Sequence, residues 1–150
     1  MSGTLLVHAT TVAIEGEAIL LRGPPGAGKS DLALRLIDRG AKLVADDQTV
    51  LRRAGDRVFA SPPPTIAGLC EIRGVGIVKL ESLDEAPLLM IADLILSGDI
   101  ERMPEPRFEN VFGLSVPIIA LVPFEASAAA KLRFLRRALA TGSLPAIIGA

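Results

Sequence analysis

The sequence predicts an α/β fold that is rich in strands, poor in helices and organised around a phosphate-binding loop. Three observations carry this reading. Gly23-Pro24-Pro25-Gly26-Ala27-Gly28-Lys29-Ser30 fits the pattern G-x-x-x-x-G-K-[ST] without a gap. Its flanks fit as well: Ala18-Ile19-Leu20-Leu21 is an apolar, strand-like run, and Asp31 to Arg39 is a helix-like one. Finally, only two stretches of the chain read as helices, while many strand-like runs follow one another; an ordinary P-loop protein alternates strand and helix throughout.

In chain order, Leu5–Ile14 and Glu17–Leu21 are predicted as two strands around a Glu15-Gly16 turn, with His8 on the first. The loop follows, then a helix from Ser30 to about Arg39, with Leu32, Leu34, Leu36 and Ile37 as apolar positions and Gly40 as a left-handed cap. Ala41–Ala45 is a short strand ending in Asp46-Asp47. Thr49–Arg53 and Arg57–Ala60 flank Ala54-Gly55-Asp56, a hairpin turn closed off by Pro62-Pro63-Pro64. From Ile66 to Lys79 polar and apolar residues alternate into a glycine-rich bend, read as a loop leading to a strand at Gly76–Leu80. Ser82–Pro87 is a connection and Leu88–Leu96 a buried strand. Ser97-Gly98-Asp99 is a turn, and Met103–Arg107, with two prolines, is extended. Phe108–Phe112 and Val116–Val122 form a strand pair across Gly113-Leu114-Ser115, with Pro117 and Pro123 marking an edge strand or strand ends. Ala126–Ala140 is the second helix, an amphipathic surface helix with Lys131, Arg133, Arg136 and Arg137 among Leu132, Phe134, Leu135 and Leu139. Gly142 ends it, before an apolar tail.

Length and composition bound the rest. At 150 residues the chain is read as one domain, residues 1–150, with room for a real core. Half the residues are hydrophobic but only five are aromatic, all Phe, so that core is aliphatic. A formal net charge of −1 gives no electrostatic reason for a nucleic-acid partner. The single cysteine, Cys70, excludes an internal disulfide and any cysteine-based metal site. The N-terminus lacks a signal-peptide pattern, and the longest apolar stretches are too short to span a bilayer as helices. The expectation is a cytoplasmic protein without a membrane partner.

The residue types point to phosphoryl transfer, which needs charge neutralisation, a metal and an oriented nucleophile. The glycines let backbone N–H groups surround phosphate oxygens, and the helix start adds free donors and partial positive charge. Lys29 can reach the terminal phosphates and the Ser30 hydroxyl can sit on magnesium. Asp46-Asp47 closes the first strand after the loop helix, on the edge that faces the same crevice. One aspartate can face the metal and the other an acceptor hydroxyl; the alternative is a solvated turn. Glu71, beside Arg73 and two glycines, is a candidate metal ligand or half of a surface ion pair. His8 is the only histidine, a structural residue or part of the site. Arg102 is a candidate clamp on transferring phosphate or a surface residue.

Taken together, these positions resemble the catalytic domain of HPr kinase/phosphorylase, which phosphorylates a serine of HPr, a small phosphocarrier protein. The resemblance runs from His8 through the loop at 23–30, Arg39-Gly40, Ala45-Asp46-Asp47, Pro62-Pro63, Glu71-Ile72-Arg73-Gly74-Val75-Gly76-Ile77 and Glu101-Arg102-Met103. It covers roughly residues 5–125. It implies that Gly23 to Ser30 bind ATP, that Ser30, Glu71 and Asp46 lie at the magnesium ion, and that Asp47 takes the proton from the acceptor serine. His8 and Arg102 would join Lys29 in the active site. It also implies a fold like the nucleotide-binding core of phosphoenolpyruvate carboxykinase. Where the family has a Pro-Val-Lys-x-Gly-Arg-like segment associated with dephosphorylation, this chain reads Leu121-Val122-Pro123-Phe124-Glu125-Ala126-Ser127, with no basic residue. Kinase activity is therefore the expectation, and the reverse reaction is left open. The chain looks like the short form similar to alphaproteobacterial members, which leaves a homo-oligomer open.

The expected function is thus an ATP- and magnesium-dependent serine kinase acting on HPr or an HPr-like protein. The alternatives are a nucleotide-binding sensor without catalysis and a small-molecule kinase. The latter lacks an arginine-rich lid in this sequence, and a GTPase lacks its Asn-Lys-x-Asp segment.

Overall fold

The computed structural model describes residues 3–96 and 100–141. The expected turn at Ser97-Gly98-Asp99, the helix stop at Gly142 and the apolar tail lie outside the described residues. The elements are β1 (Thr4–Val7), β2 (Ala9–Ile14), β3 (Glu17–Arg22), α1 (Lys29–Asp38), β4 (Lys42–Ala45), β5 (Thr49–Ala54), β6 (Arg57–Ser61), β7 (Leu69–Ile72), β8 (Gly76–Lys79), β9 (Ala86–Leu94), β10 (Arg107–Val111), β11 (Leu114–Leu121) and α2 (Ala128–Ala140). The strand-rich α/β fold is as the sequence predicts, with two α-helices among the described residues. No helix among them is long and apolar enough to cross a membrane.

Tight turns are written in the sequence. Glu15 and Gly16 both have positive φ, as a two-residue hairpin turn of the primed type requires. Phe112 and Gly113 repeat this between β10 and β11. Gly55-Asp56 joins β5 to β6, whose last pair is Ala54 with Arg57. Gly40, at φ +105, ends α1: its N–H bonds the Ile37 carbonyl and the next N–H, of Ala41, bonds Leu36.

The sheet forks at β9. Its first residues pair antiparallel with β6, extending a β1-β5-β6 layer, while residues 91–94 pair parallel with β11 on the way to β10. On its other side β9 pairs parallel with β3, and the layer continues through β2 to β4. Alternation on β3 sends Ala18 and Leu20 to one core, between the two sheet layers, and Ile19 and Leu21 to the other, beneath α1 and α2. A bulge against Ala18/Ile19 shifts the parity of β9. Leu88 and Ile91 therefore join the first core, and Met90, Ala92 and Leu94 the second.

Three local expectations are corrected. The first strand is broken at His8: β1 pairs with β5 and β2 with β3 and β4, so the chain changes sheet layers there. Residues 69–72, read as loop, form β7, paired with β8 in a separate two-stranded hairpin; short, exposed alternation beside glycines hides a strand whose only partner is the next one. β11 is not an edge strand. Pro117 stands one residue before the pairing with β9 begins at Ile118, so its missing N–H is not needed there. On α2, Arg136 turns inward, on Glu15 at 2.6 Å and Glu17 at 3.2 Å.

The topology sets up one edge. β2 is antiparallel to both β3 and β4, and β9 and β11 run parallel to β3, so β3, β4, β9 and β11 all point the same way. The glycine loop, Asp46-Asp47 and the Pro123-Phe124 corner follow the carboxyl ends of three of them. Ala9 is opposite Arg22, so His8 sits at the same edge.

Candidate active site

The loop is held from below and from the side. Arg22, the residue before it, forks onto both carboxylates of its neighbourhood: Nε to Asp93 Oδ1 at 2.7 Å and Nη1 to Glu109 Oε2 at 2.6 Å, with Nη2 adding one bond to each. Those bonds, Asp93 first and Glu109 second, hold the Arg22 guanidinium pKa above its ordinary value. A Cβ on Gly23 would fall 2.8 Å from the Ala27 Cβ, and one on Gly28 2.9 Å from the Phe124 ring, so close approach selects glycine at both, and a φ of +99 adds to it at Gly28. Lys29, only 7 % exposed, folds back over its own loop and donates to the carbonyls of Gly23 at 2.7 Å and Pro24 at 3.2 Å.

The two adjacent aspartates have opposite situations. Asp46 is buried, 9 % exposed, and its carboxylate is a hub. Oδ1 accepts from Ser30 Oγ at 3.1 Å and Thr10 Oγ1 at 3.2 Å, and Oδ2 accepts from the Glu71 N–H at 3.0 Å. One carboxylate thus joins the glycine loop, β2 and the β7–β8 hairpin. Asp47 is exposed, and its Oδ1 lies 3.3 Å from His8 Nε2. Its φ is +67, and the Gln48 N–H bonds back to the Asp46 carbonyl at 2.7 Å, a three-residue γ-type turn centred on Asp47. Such a conformation in a non-glycine residue costs of order 1–3 kcal/mol and persists where the surroundings enforce it. Here Thr10 enforces it, its Oγ1 accepting the Asp47 N–H at 3.1 Å while donating to Asp46. Beneath, Thr49 Oγ1 donates to the Ala9 carbonyl, so Thr11 is the donor to Thr49 at 2.8 Å.

A cleft of about 440 Å³ runs across this edge, lined by the loop, by Leu34, by Asp47, by Glu71, Ile72 and Arg73, and by Phe124. The structure therefore brings Gly26, Gly28, Lys29, Ser30, Asp47 and Glu71 to one cleft, with Asp46 behind them and His8 on Asp47. It does not bring Arg102 there: Arg102 is exposed, lines neither this cleft nor the smaller one beside it, and makes no hydrogen bond or ion pair among the described residues. Glu71 and Arg73 are both exposed and form no ion pair with each other.

A magnesium ion fits the donor set. Ser30 Oγ and Asp46 Oδ1 are hard oxygens 3.1 Å apart, and the Glu71 carboxylate lines the same cleft. No cluster of three His, Cys, Asp or Glu side chains converges among the described residues. Few protein ligands, with phosphate oxygens and water completing the shell, is how magnesium is commonly held.

Several residues of this arrangement carry no motif. Arg22 ends an apolar run, Asp93 interrupts one and Glu109 lies within a strand, and Arg22 is directly opposite Asp93 in the strand register. Thr10, Thr11 and Thr49 are fully buried hydroxyls. Cys70, behind Asp46 and 1 % exposed, has its thiol pushed up to about 11, by burial first and by the Asp46 charge second. At pH 8 iodoacetamide is expected to leave the folded protein unmodified, with only about one thiol in a thousand ionised, and to label it readily in denaturant. Fast labelling of the folded protein would contradict the burial.

The family model for the HPr serine kinase C-terminal domain matches residues 1–84, more than half of the chain. Among solved structures, the chain is similar to the HPr(Ser) kinase/phosphatase from Coxiella burnetii, with a TM-score of 0.81 and 25% sequence identity over 92% of this chain and 97% of that one.

Proposed function

This chain belongs to the HPr serine kinase C-terminal domain family, and on that premise we propose that it transfers the γ-phosphoryl group of ATP to a seryl residue of HPr or an HPr-like phosphocarrier protein. Membership makes it a kinase-type enzyme; the donor, the acceptor and the residue roles are our reading. The observation that carries it is the division between the two aspartates: Asp46 buried and fully engaged, Asp47 exposed at the cleft with one oxygen on His8. A nucleotide sensor has no use for a strained, exposed carboxylate beside its phosphate loop.

In this reading the N–H groups of residues 23–30 and Lys29 bind the phosphates. Magnesium, held by Ser30 with Asp46 and Glu71 near it, would neutralise charge on the phosphate oxygens. Asp46 orients the Ser30 hydroxyl, which donates to it. Asp47 accepts the proton of the acceptor serine, and His8 holds the carboxylate aimed. The role of Arg102 as a clamp on the transferring group requires its exposed segment to move over the cleft when the acceptor binds. Nothing basic lies between Leu121 and Ser127, which favours transfer to the serine over the reverse reaction.

The test is transfer from labelled ATP with magnesium to each HPr-like protein of the source organism, the product read by mass. Acid-stable phosphate on a serine is the expected result. ATP binding with no labelled protein would replace the kinase with a sensor.

A further inference from the structure

We propose that the exposed ring of Phe124, fastened over the glycine loop by Arg35, is the platform on which the purine base of the nucleotide stacks. The proposal rests on the reading of the loop as a nucleoside triphosphate site and adds the part that recognises the nucleoside.

The ring is placed by two independent constraints. After β11 the chain turns through Pro123-Phe124-Glu125 into α2, and the Phe124 ring edge comes to lie against Gly28; a Cβ there would stand 2.9 Å from Cζ and 3.1 Å from Cε1. From the helix side, Arg35 donates through Nη2 to the Pro123 carbonyl and through Nη1 to the Glu125 carbonyl at 3.4 Å. Asp31, one turn earlier, holds that guanidinium through Nε at 3.1 Å. The carbonyls on both sides of Phe124 are thus pinned to α1, the helix that opens at the phosphate loop. With the backbone on both sides fixed, the ring has only its own rotamers left to lose when a ligand lies on it.

The cleft has the right polarity for such a ligand. Successive helix residues point roughly 100° apart. Ser30 therefore reaches Asp46, while Arg35, held by Asp31, reaches the 123–125 corner. The strand order puts Asp47, beside Glu71, at one end of the cleft after β4 and Phe124 at the other after β11; Arg73 adds a charge to the lining, Leu34 and Ile72 add apolar surface, and Asp31 is held by Arg35. Phe124 is the only aromatic residue that lines it, and its ring is 58 % exposed and so accessible to a ligand. A triphosphate anchored at the loop with its terminal group toward Asp47 leaves its flat base on the Phe124 side. The polar groups there, Asp31 and the two carbonyls, are already engaged by Arg35. Recognition is therefore by stacking, which favours purines by area and separates ATP from GTP only weakly.

The sequence has no tryptophan and no tyrosine, so Phe124→Trp places a single reporter at this position. MgATP is expected to quench its emission and magnesium tripolyphosphate to leave it unchanged. In parallel, Phe124→Ala should weaken MgATP binding roughly five- to hundredfold and keep tripolyphosphate affinity within about twofold. Equal loss of both ligands would overturn the platform and leave Phe124 as a prop for the loop. An unchanged ATP affinity, or equal quenching by both ligands, would overturn it as well. Wild-type protein that binds tripolyphosphate but gains nothing from the base would sink this proposal alone; wild-type protein that binds neither would sink the nucleotide reading with it.

Discussion

Asp47→Asn is expected to lower phosphoryl transfer to the acceptor serine by roughly 10²–10⁴, the usual contribution of a positioned general base, while MgATP affinity stays within about twofold. The substitution is unusually clean at this position. Asp47 sits at φ +67, and asparagine is the other side chain that tolerates this region, so the γ-type turn survives. Its backbone N–H still bonds Thr10 Oγ1, so Asp46 keeps its hub of donors. The amide oxygen can still face His8 Nε2, now 3.3 Å from the carboxylate. What is lost is the ability to accept a proton. Single-turnover transfer and equilibrium ATP binding separate the two effects. A variant that transfers at the wild-type rate would remove Asp47 as the base; one that loses ATP binding in step would make it part of the nucleotide site.

The centre of this site was legible because its signals are local. The loop from Gly23 to Ser30 encodes its own geometry, the strand and helix on either side show their periods, and Asp46-Asp47 follows at a strand end where the crevice must lie. Turn residues were legible for the same reason at Glu15-Gly16, Gly55 and Gly40. What stayed hidden depends on contacts made far along the chain. The break at His8 reflects two adjacent segments choosing different sheets, and nothing in residues 4–14 says that β1 will pair with β5. β7 has four residues, two of them flanking Glu71, and becomes a strand only because β8 returns beside it. Arg22, Asp93 and Glu109 meet across separations of 71 and 87 residues. Asp93 looked like an interruption in an apolar run; in the fold it is the partner that lets Arg22 end β3 at the base of the loop. Arg35 and Phe124 share this character, joined through the Pro123 carbonyl 88 residues away.

Lys29→Ala should fail at an earlier stage than Asp47→Asn. In the structure the Lys29 ammonium spends two of its three donors on the carbonyls of Gly23 and Pro24 and is 7 % exposed, so it is pinned across its own loop with one donor left for a phosphate oxygen. Alanine keeps the helix start, since it is the best helix former, and the close contacts at Gly23 and Gly28 still shape the loop. The two released carbonyls lose about 1 kcal/mol each, less where water reaches Pro24, so the fold should remain. What the proposed function loses is the positive charge that Lys29 would offer the phosphates. MgATP affinity is expected to fall by at least tenfold, and transfer at saturating ATP by roughly 10²–10³, the loss typical of one preorganised donor in a transition state. Titration calorimetry and the transfer assay on the same preparation read both. The pair of variants is more informative than either alone: with Asp47 as base and Lys29 as phosphate ligand, one protein binds without reacting and the other does neither well. Normal ATP affinity in Lys29→Ala would mean that the backbone of the loop carries the phosphates by itself, and that Lys29 serves only to close it.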